Sequence, residues 1–154
     1  MPQLVAWALD MQRYALPFLA VERVVRAVEV TSLPGAPELV CGIVNVRGQV
    51  VPVMDMRRRF HLAQREIALS DLLVLARTAR RTVAFFADTV SSVADYPEDA
   101  IVTVDALSTD AGCIAGIAKM ADGMILIHDL DLFLSAAEES ALDGALASTG
   151  EKTQ

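Results

Sequence analysis

The chain is poor in the residues that carry most enzymatic and metal-binding chemistry. It has two cysteines, two histidines and two lysines among 154 residues. Cys41 and Cys113 show no motif spacing, have no histidine nearby and lie among apolar residues, which raise the pKa of a thiol. Neither cysteine therefore fits a nucleophile, and we expect both to be reduced, buried, small hydrophobic residues.

Long apolar runs are also absent, although 54% of the residues are hydrophobic and the mean hydropathy is +0.43. A membrane span needs about 20 consecutive apolar residues, whereas runs such as Leu72–Ala76 and Met124–Ile127 have only the length of a strand. No basic leader precedes the first apolar residues, so no signal peptide is predicted. We therefore expect a cytoplasmic protein without direct membrane insertion, whose apolar residues form a core and interfaces.

Aromatic residues and net positive charge are lacking as well. Aromatic residues make up 5% of the chain and the formal net charge is −7, whereas nucleic-acid-binding domains present a basic surface with aromatic side chains. Nucleic acid is therefore not expected as a partner. The arginines concentrate between Arg47 and Arg81, and most charges are predicted to be solvated. The triple arginine Arg57–Arg59 is predicted to be either a solvated turn or a docking point for an acidic partner.

The chain is rich in short apolar segments with β-branched residues, which predict strands. Leu4–Leu9 is followed by a turn at Asp10–Arg13 and by an extended segment from Tyr14, in which Pro17 argues against a helix. Thr31–Glu38 predicts a loop because of its proline and glycine content. The pattern is typical of an all-β protein made of short strands.

Two hairpins dominate this pattern, one turning at Arg47-Gly48 and the other at Asp122-Gly123. Glycine supplies the positive φ that such tight turns need. The two sequences align at Gly42-Ile43 with Gly116-Ile117, Gly48 with Gly123, Met54-Asp55 with His128-Asp129, and Phe60 with Leu134. The alignment predicts an internal duplication with units at approximately residues 14–66 and 69–134. Units of about 70 residues bury too little surface to be stable alone, so we expect both to share one core.

The C-terminal end predicts a tail helix over residues 135–147. Ser135 and Glu138 have the spacing of a capping box. Leu142 and Leu146 give the helix an apolar stripe. We expect this helix to pack back on the strands.

His128-Asp129 invites a metal-site or phosphohydrolase interpretation, which the sequence does not favour. A catalytic metal site usually needs three convergent protein ligands, but His61 stands in an unrelated context. The duplicated unit also has Met54-Asp55 at the equivalent place. We therefore expect His128 to be a structural residue at the end of a strand.

The segment Tyr14–Phe60 resembles the signature region of CheW-like domains, the adaptors of bacterial chemotaxis arrays. The motifs that carry the resemblance are the LPGAPE loop at residues 33–38, the Gly42-x-x-Asn45-x-Arg47-Gly48 hairpin and the Val-Pro-Val-Met-Asp strand at residues 51–55. The resemblance extends over residues 4–135. It implies an all-β fold of two SH3-like five-stranded β-barrel subdomains sharing a hydrophobic core, with short helices and a C-terminal helix, in a single domain spanning residues 1–154.

The resemblance also implies a role. Such proteins look like non-enzymatic scaffolds that couple the cytoplasmic tip of a chemoreceptor to the regulatory domain of a CheA-type histidine kinase. The implied location is the cytoplasm, beside membrane receptor arrays, with self-association in array rings as a further expectation and no catalytic residue, cofactor or metal. One alternative is an adaptor of the same fold in twitching motility or another kinase array. A less favoured alternative is a small β-barrel enzyme or ligand-binding domain using Cys41, His61 or His128-Asp129.

Residue roles follow only from the resemblance. Arg47 matches the family arginine that precedes the hairpin glycine and bears on receptor contact. Gly42 and Gly48 match glycines whose loss disturbs kinase binding, and Val21 matches a valine on the preceding strand that also bears on the kinase. The predicted kinase-binding set therefore consists of Val21, Gly42 and Gly48.

One position departs from the family pattern. The glutamate that usually lies two residues after this valine is Arg23 here, and Glu22 lies one place earlier. A shift of one residue along a strand turns the side chain to the opposite face. We assign Glu22 and Arg23, with Arg47, to the predicted receptor-binding set and expect the receptor specificity to differ.

Overall fold

The computed structural model describes residues 3–68, 70–103 and 114–152. Its strands are β1 Gln3–Leu9, β2 Gln12–Pro17, β3 Val21–Arg26, β4 Val40–Val46, β5 Gln49–Met54, β6 Leu72–Arg77, β7 Thr82–Ala87, β8 Thr89–Asp95, β9 Ile101–Thr103, β10 Ile114–Met120 and β11 Gly123–His128. Its α-helices are α1 Met56–Arg59 and α2 Ala136–Lys152, and 3₁₀ turns lie at Phe18–Ala20, Glu98–Ala100 and Leu130–Leu132. Within these ranges no helix is long and apolar enough to cross a membrane. Cys113 lies outside the described residues.

The strands form two sheets, which confirms the predicted all-β fold with two small subdomains. Sheet A has six strands in the order β8-β1-β2-β11-β10-β9, and sheet B has five in the order β3-β6-β7-β5-β4. Thr31, which follows β3, bridges Ile43 of β4 through two backbone hydrogen bonds of 2.8 Å. This bridge links the two edges of sheet B, as a small barrel requires.

The chain crosses between the sheets in a reciprocal way. Hairpin β1–β2 belongs to sheet A, where β2 runs parallel to β11, the last strand of the chain. Hairpin β6–β7 belongs to sheet B, where β7 runs parallel to β5, the last strand of the first half. This correspondence supports the internal duplication, which stays a prediction, and it makes β1 the counterpart of β6. Because the halves exchange hairpins, neither sheet is built from one continuous piece of chain.

Three hydrophobic clusters hold this arrangement together. The cluster inside sheet A is built from Leu4, Ala15, Tyr96, Ala118, Ile125 and Ile127. The cluster inside sheet B is built from Val44, Val51, Val53, Leu73, Leu75 and Ala84. A larger third cluster includes Trp7 and Tyr14 of sheet A, Phe85 of sheet B and Leu142 of α2. The third cluster is the shared core that the sequence predicts.

Helix α2 packs on the shared core, as expected. Glu138 N donates to Ser135 Oγ at 3.1 Å and Ser135 N donates to Glu138 Oε1 at 2.9 Å, which is a reciprocal capping box. Leu142 is fully buried. Arg81, beside the β6–β7 turn, forms ion pairs with Glu139 at 2.7 Å and with Asp143. The helix is therefore fixed by a cap, an apolar face and charged contacts to sheet B.

The prediction that Cys41 is buried is wrong. Val40 pairs with Met54 and Gly42 pairs with Val53, so Cys41 is an extra residue in a β-bulge and is exposed. Even so, partial desolvation of the thiol and the nearby Asp55 carboxylate raise the pKa of Cys41 to about 12. The bulge explains the exposure, and a thiol with a raised pKa stays protonated at neutral pH, which disfavours a role as nucleophile.

Candidate protein-interaction site

The β4–β5 hairpin ends in a two-residue turn that presents Arg47 to solvent. Arg47 and Gly48 have φ values of 52° and 85°, between the paired residues Val46 and Gln49. Two consecutive positive φ values are typical of the type I′ turn, whose twist matches that of the flanking strands. Gly48 N donates to Asn45 Oδ1 at 2.8 Å and so closes the turn. The side chain of Arg47 makes no hydrogen bond or ion pair with any described residue.

Gly42 and Gly48 are required for different physical reasons. A Cβ on Gly42 would overlap the carbonyl oxygen of Thr31 and lie 2.9 Å from Val30 Cγ1. A Cβ on Gly48 would meet nothing within 4 Å, so only its φ of 85° favours glycine. Gly42 therefore allows close contact between β4 and the segment after β3, whereas Gly48 allows the turn.

The other three predicted site residues lie together on β3. Val21 is partly buried against the shared core and pairs with Ala76. The next ladder pair joins Arg23 to Leu75, so Glu22 is an extra residue in a β-bulge. Both Glu22 and Arg23 are exposed.

The β3 bulge gives Glu22 a partner inside the protein. Glu22 Oε1 accepts a hydrogen bond from Thr82 Oγ1 at 2.7 Å, at the start of β7. Glu22 is therefore not paired with Arg47. The six predicted site residues fall into two groups, one on β3 and one on the β4–β5 hairpin. The bridge between Thr31 and Ile43 brings the two chain segments together.

The triple arginine makes contacts within the protein, and each member has a different environment. Arg57 has a side chain that is only 11% exposed and forms ion pairs with Asp10 at 2.7 Å and with Asp88 at 3.4 Å. Arg58 pairs with Glu38 at 2.6 Å. Arg59 is partly buried. These contacts favour a structural role for the triple arginine over docking of a partner.

Arg57 belongs to a charge network that sequence analysis missed. Arg65 pairs with Asp71 at 2.7 Å and with Asp88 at 2.5 Å, and Asp88 Oδ2 accepts from Asp10 N at 2.9 Å. The Arg65 guanidinium lowers the pKa of Asp71, and Arg57 lowers the pKa of Asp10. The network links the β1–β2 turn of sheet A to α1 and to the entry of β6, so it fixes the two sheets relative to each other. No local pattern reveals the whole network, because only Arg65 and Asp71 are close in sequence and its other pairs are 23 or more residues apart.

His128 lies in an aromatic environment rather than at an open site. It is 2% exposed, and its ring lies 4.8 Å from Phe60, 5.1 Å from Tyr14 and 5.3 Å from Trp7, centroid to centroid. Neither imidazole nitrogen has a hydrogen-bond partner in the part of the chain that the structure describes. Burial, followed by the charge of Arg59, lowers the pKa of His128 to about 3, so the ring is neutral at physiological pH. Among the described residues, no three His, Cys, Asp or Glu side chains are arranged to hold a metal ion.

The two sheets around a shared core define a small all-β module. Residues 3–138 match the family model of the CheW-like domain, so the chain belongs to that family. A probable chemotaxis protein CheW from Rhizobium etli is 23% identical over 141 residues, covering 90% of this chain and 91% of that protein. A chemotaxis protein CheW from Helicobacter pylori is 25% identical over 126 residues, covering 81% and 76%.

The crystal structure of the scaffolding protein TtCheW from Thermoanaerobacter tengcongensis matches this structure with a TM-score of 0.78 and 29% sequence identity. The match covers 90% of this chain and 96% of that chain. Family membership confirms the resemblance found in the sequence. It also confirms the prediction of a non-enzymatic chemotaxis adaptor, because members of the CheW family are scaffold proteins.

Proposed function

We propose that this protein is a cytoplasmic adaptor that couples the signalling tip of a chemoreceptor to the regulatory domain of a CheA-type histidine kinase. The observation that carries the proposal is Arg47, an exposed arginine that pairs with no described residue, at the tip of a type I′ turn. An arginine beside apolar residues such as Val46 and Val50 is a common hot spot of protein interfaces.

The receptor face in this proposal combines the hairpin tip with β3. Arg47 supplies a guanidinium that has no partner within the described part of the chain, and Arg23 supplies a second one on β3. Glu22 is held by Thr82 at 2.7 Å, so it contributes a carboxylate in a fixed position. The face therefore differs in charge order from the family pattern, in which the glutamate occupies the position of Arg23.

The kinase face in this proposal consists of Val21, Gly42 and Gly48. The two glycines act through the backbone, because Gly42 permits the close contact with Thr31 and Gly48 permits the turn. Val21 is partly buried and contributes apolar surface at the start of β3. A rigid body with both faces brings the two partners together, which raises their effective concentration. Ring contacts between copies and a non-flagellar kinase array are compatible with the same faces.

The test is a binding titration against two purified ligands, a receptor signalling tip and the regulatory domain of a CheA-type kinase from the same genome. We expect the wild-type protein to bind both. Arg47→Ala should lose receptor binding and keep kinase binding. Asp122→Ala, at the turn of the equivalent hairpin, is the matched control and should bind both ligands like wild type. A folded protein that binds neither ligand would refute the adaptor proposal.

A further inference from the structure

The tail helix α2 and strand β3 are joined by polar contacts that meet at two adjacent residues. Arg81 pairs with Glu139 of α2 at 2.7 Å and with Asp143 of the same helix. The next residue, Thr82, is the first residue of β7, and its Oγ1 donates to Glu22 Oε1 of β3 at 2.7 Å. We call Arg81, Thr82 and Glu139 the Glu22 brace, because together they connect the Glu22 carboxylate to α2.

The members of the Glu22 brace are shielded from water. Thr82 is 6% exposed, and the side chains of Arg81 and Glu139 are 16% and 12% exposed. Shielded charges attract each other more strongly than charges on the surface, because water and salt screen them less. Removal of one partner also leaves the other charge without compensation. The contact between Arg81 and α2 is therefore suited to holding the start of β7 in place.

The backbone that carries Thr82 is fixed by further hydrogen bonds. Arg81 O accepts from the backbone N and from Oγ1 of Thr78, both at 2.9 Å. Arg81 N donates to Thr78 Oγ1 at 3.1 Å. Ala79 N donates to Oδ1 of Asp131, in the 3₁₀ turn before α2, at 2.7 Å. These bonds close the turn between β6 and β7 and tie it to the segment that leads into α2.

Glu22 differs from the Glu22 brace because it is exposed. Its carboxylate reaches past β6, the strand between β3 and β7, to Thr82, and it forms no ion pair with any described residue. An ionised carboxylate has about four sites that accept hydrogen bonds, so the bond from Thr82 leaves most of this capacity for a partner. Holding the side chain in one rotamer before binding also reduces the entropy that binding costs.

We propose that Arg81, Thr82 and Glu139 are positioning residues of the receptor face, which hold the Glu22 carboxylate where it accepts hydrogen bonds from cationic or N–H groups of the receptor tip. This inference rests on the proposed function, which assigns Glu22 to that face. It extends the proposed function by making receptor binding dependent on α2. Because the proposed kinase face does not include Glu22, the Glu22 brace should not affect kinase binding.

The first test is a titration of the full chain with the receptor tip after removal of the Thr82 hydroxyl. Thr82→Val keeps the shape and the β-branched side chain, so the strand should be retained. We expect this variant to bind the receptor tip about three- to tenfold more weakly, the range expected for one hydrogen bond. Thr82→Ser restores the hydroxyl and should bind within about twofold of wild type. Thermal unfolding of each variant checks that the fold is intact.

A double-mutant cycle separates positioning from a merely structural role. In the Glu22→Ala background, Thr82→Val should cause no further loss of receptor binding, because Thr82 acts only through the Glu22 carboxylate. A general structural effect of Thr82→Val would instead weaken receptor binding equally in both backgrounds.

The second test addresses the dependence on α2. Arg81→Met removes the ion pairs with Glu139 and Asp143 and should weaken receptor binding about threefold, again only when Glu22 is present. Glu139→Gln keeps the shape of the helix surface and should act in the same direction. Arg80→Met is the matched control, because Arg80 lies 3.8 Å and 3.7 Å from the same two carboxylates, has a side chain that is 55% exposed and is not adjacent to Thr82. It should change receptor binding less than about twofold.

A parallel titration with the kinase regulatory domain separates the possible outcomes. Equal receptor binding by wild type and Thr82→Val would overturn the positioning role and leave the adaptor proposal intact. A loss that persists in the Glu22→Ala background would also overturn the positioning role. Weakened kinase binding with unchanged receptor binding would overturn the assignment to the receptor face. Absence of wild-type binding to the receptor tip would overturn both this inference and the proposed function.

Discussion

The hairpins β4–β5 and β10–β11 share one framework. In each, a bulge residue precedes a glycine, so Gly42 pairs with Val53 and Gly116 pairs with Ile127. In each, an aspartate follows the second strand and caps the next turn. Asp55 Oδ1 accepts from Arg58 N, and Asp129 Oδ1 accepts from Asp131 N, both at 3.0 Å.

The two hairpins differ at their tips. Arg47 is exposed and has no partner among the residues that the structure describes, whereas Asp122 forms an ion pair of 2.9 Å with Arg13 of the neighbouring strand β2. This ion pair also lowers the pKa of Asp122. An ion pair therefore holds the second tip to the fold, whereas the first tip is accessible to a partner. In our proposal the shared framework sets the stability of both hairpins, and the tip of the first hairpin contacts the partner.

The largest difference between the hairpins is expected at their first glycines. Gly42→Ala should destabilise the protein by about 3 kcal/mol, because the new Cβ overlaps backbone that can move only by breaking the bridge at Thr31. Gly116→Ala should reduce the free energy of unfolding by about 1 kcal/mol. The new Cβ would lie 3.1 Å from Val102 O, its nearest neighbour, so the overlap is smaller than at Gly42. Urea unfolding followed by circular dichroism measures both. Equal losses of stability in both variants would contradict the claim that the close contact of Gly42 with Thr31 distinguishes the two hairpins.

The second prediction concerns His128, which replaces the methionine of the first hairpin. Its pKa of about 3 in the folded protein is below the unfolded value of 6.5. The unfolded state therefore takes up the proton first, and stability falls as the pH drops from 6.5 towards 3. At pH 5 the loss relative to pH 7 should be about 2 kcal/mol.

His128→Met gives the second hairpin the methionine that the first hairpin has at Met54. This substitution should remove the pH dependence of stability. The comparison at pH 5 and pH 7 avoids most of the contribution from carboxylates, whose unfolded pKa values are near 4. Urea unfolding at both pH values provides the measurement. A wild-type protein as stable at pH 5 as at pH 7 would contradict the buried, neutral histidine.

The third prediction separates the glycines of the two turns. Gly48→Ala should cost about 1 kcal/mol through its φ of 85°, and Gly48→Asn should cost less because asparagine tolerates this conformation. Gly48→Ala should weaken kinase binding, whereas Gly123→Ala should reduce stability without affecting the binding of kinase or receptor. Thermal unfolding and the titrations with the kinase regulatory domain and the receptor tip together test this. Loss of receptor binding in Gly123→Ala would place the second tip in the receptor face.

The smallest effect is expected from the ion pair at the second tip. Asp122→Ala should lower the melting temperature by less than about 3 °C, because Asp122 is exposed and its attraction to Arg13 is screened by water. Differential scanning calorimetry at low and high salt measures this. A larger loss would mean that the second tip carries more of the fold than its exposure indicates.

Much of the fold follows from local signals in the sequence. Arg47-Gly48 forms the predicted turn, and Ser135 and Glu138 form the predicted capping box, because turns and caps depend on residues within a few positions of each other. The shared core also follows, since units of the predicted size of about 70 residues are too small to be stable alone.

The features that could not be predicted depend on distant parts of the chain. The bulges at Cys41 and Glu22 depend on the partner strands, and they change which side chains are exposed. The network joining Arg57 to Asp10 and Asp88 spans separations of 47 and 31 residues. The exchange of hairpins between the sheets is equally non-local, because it depends on which strands pair.

The most direct test of the central claim is photo-crosslinking from the two hairpin tips. A photoreactive p-benzoylphenylalanine would replace Val50 in one variant and Met124 in another, because these exposed residues follow the two tips and their replacement leaves Arg47 and Asp122 in place. Each variant would be irradiated with receptor tip and kinase regulatory domain present. The account predicts a receptor crosslink from position 50 and none from position 124. A receptor crosslink from position 124 with none from position 50 would contradict it.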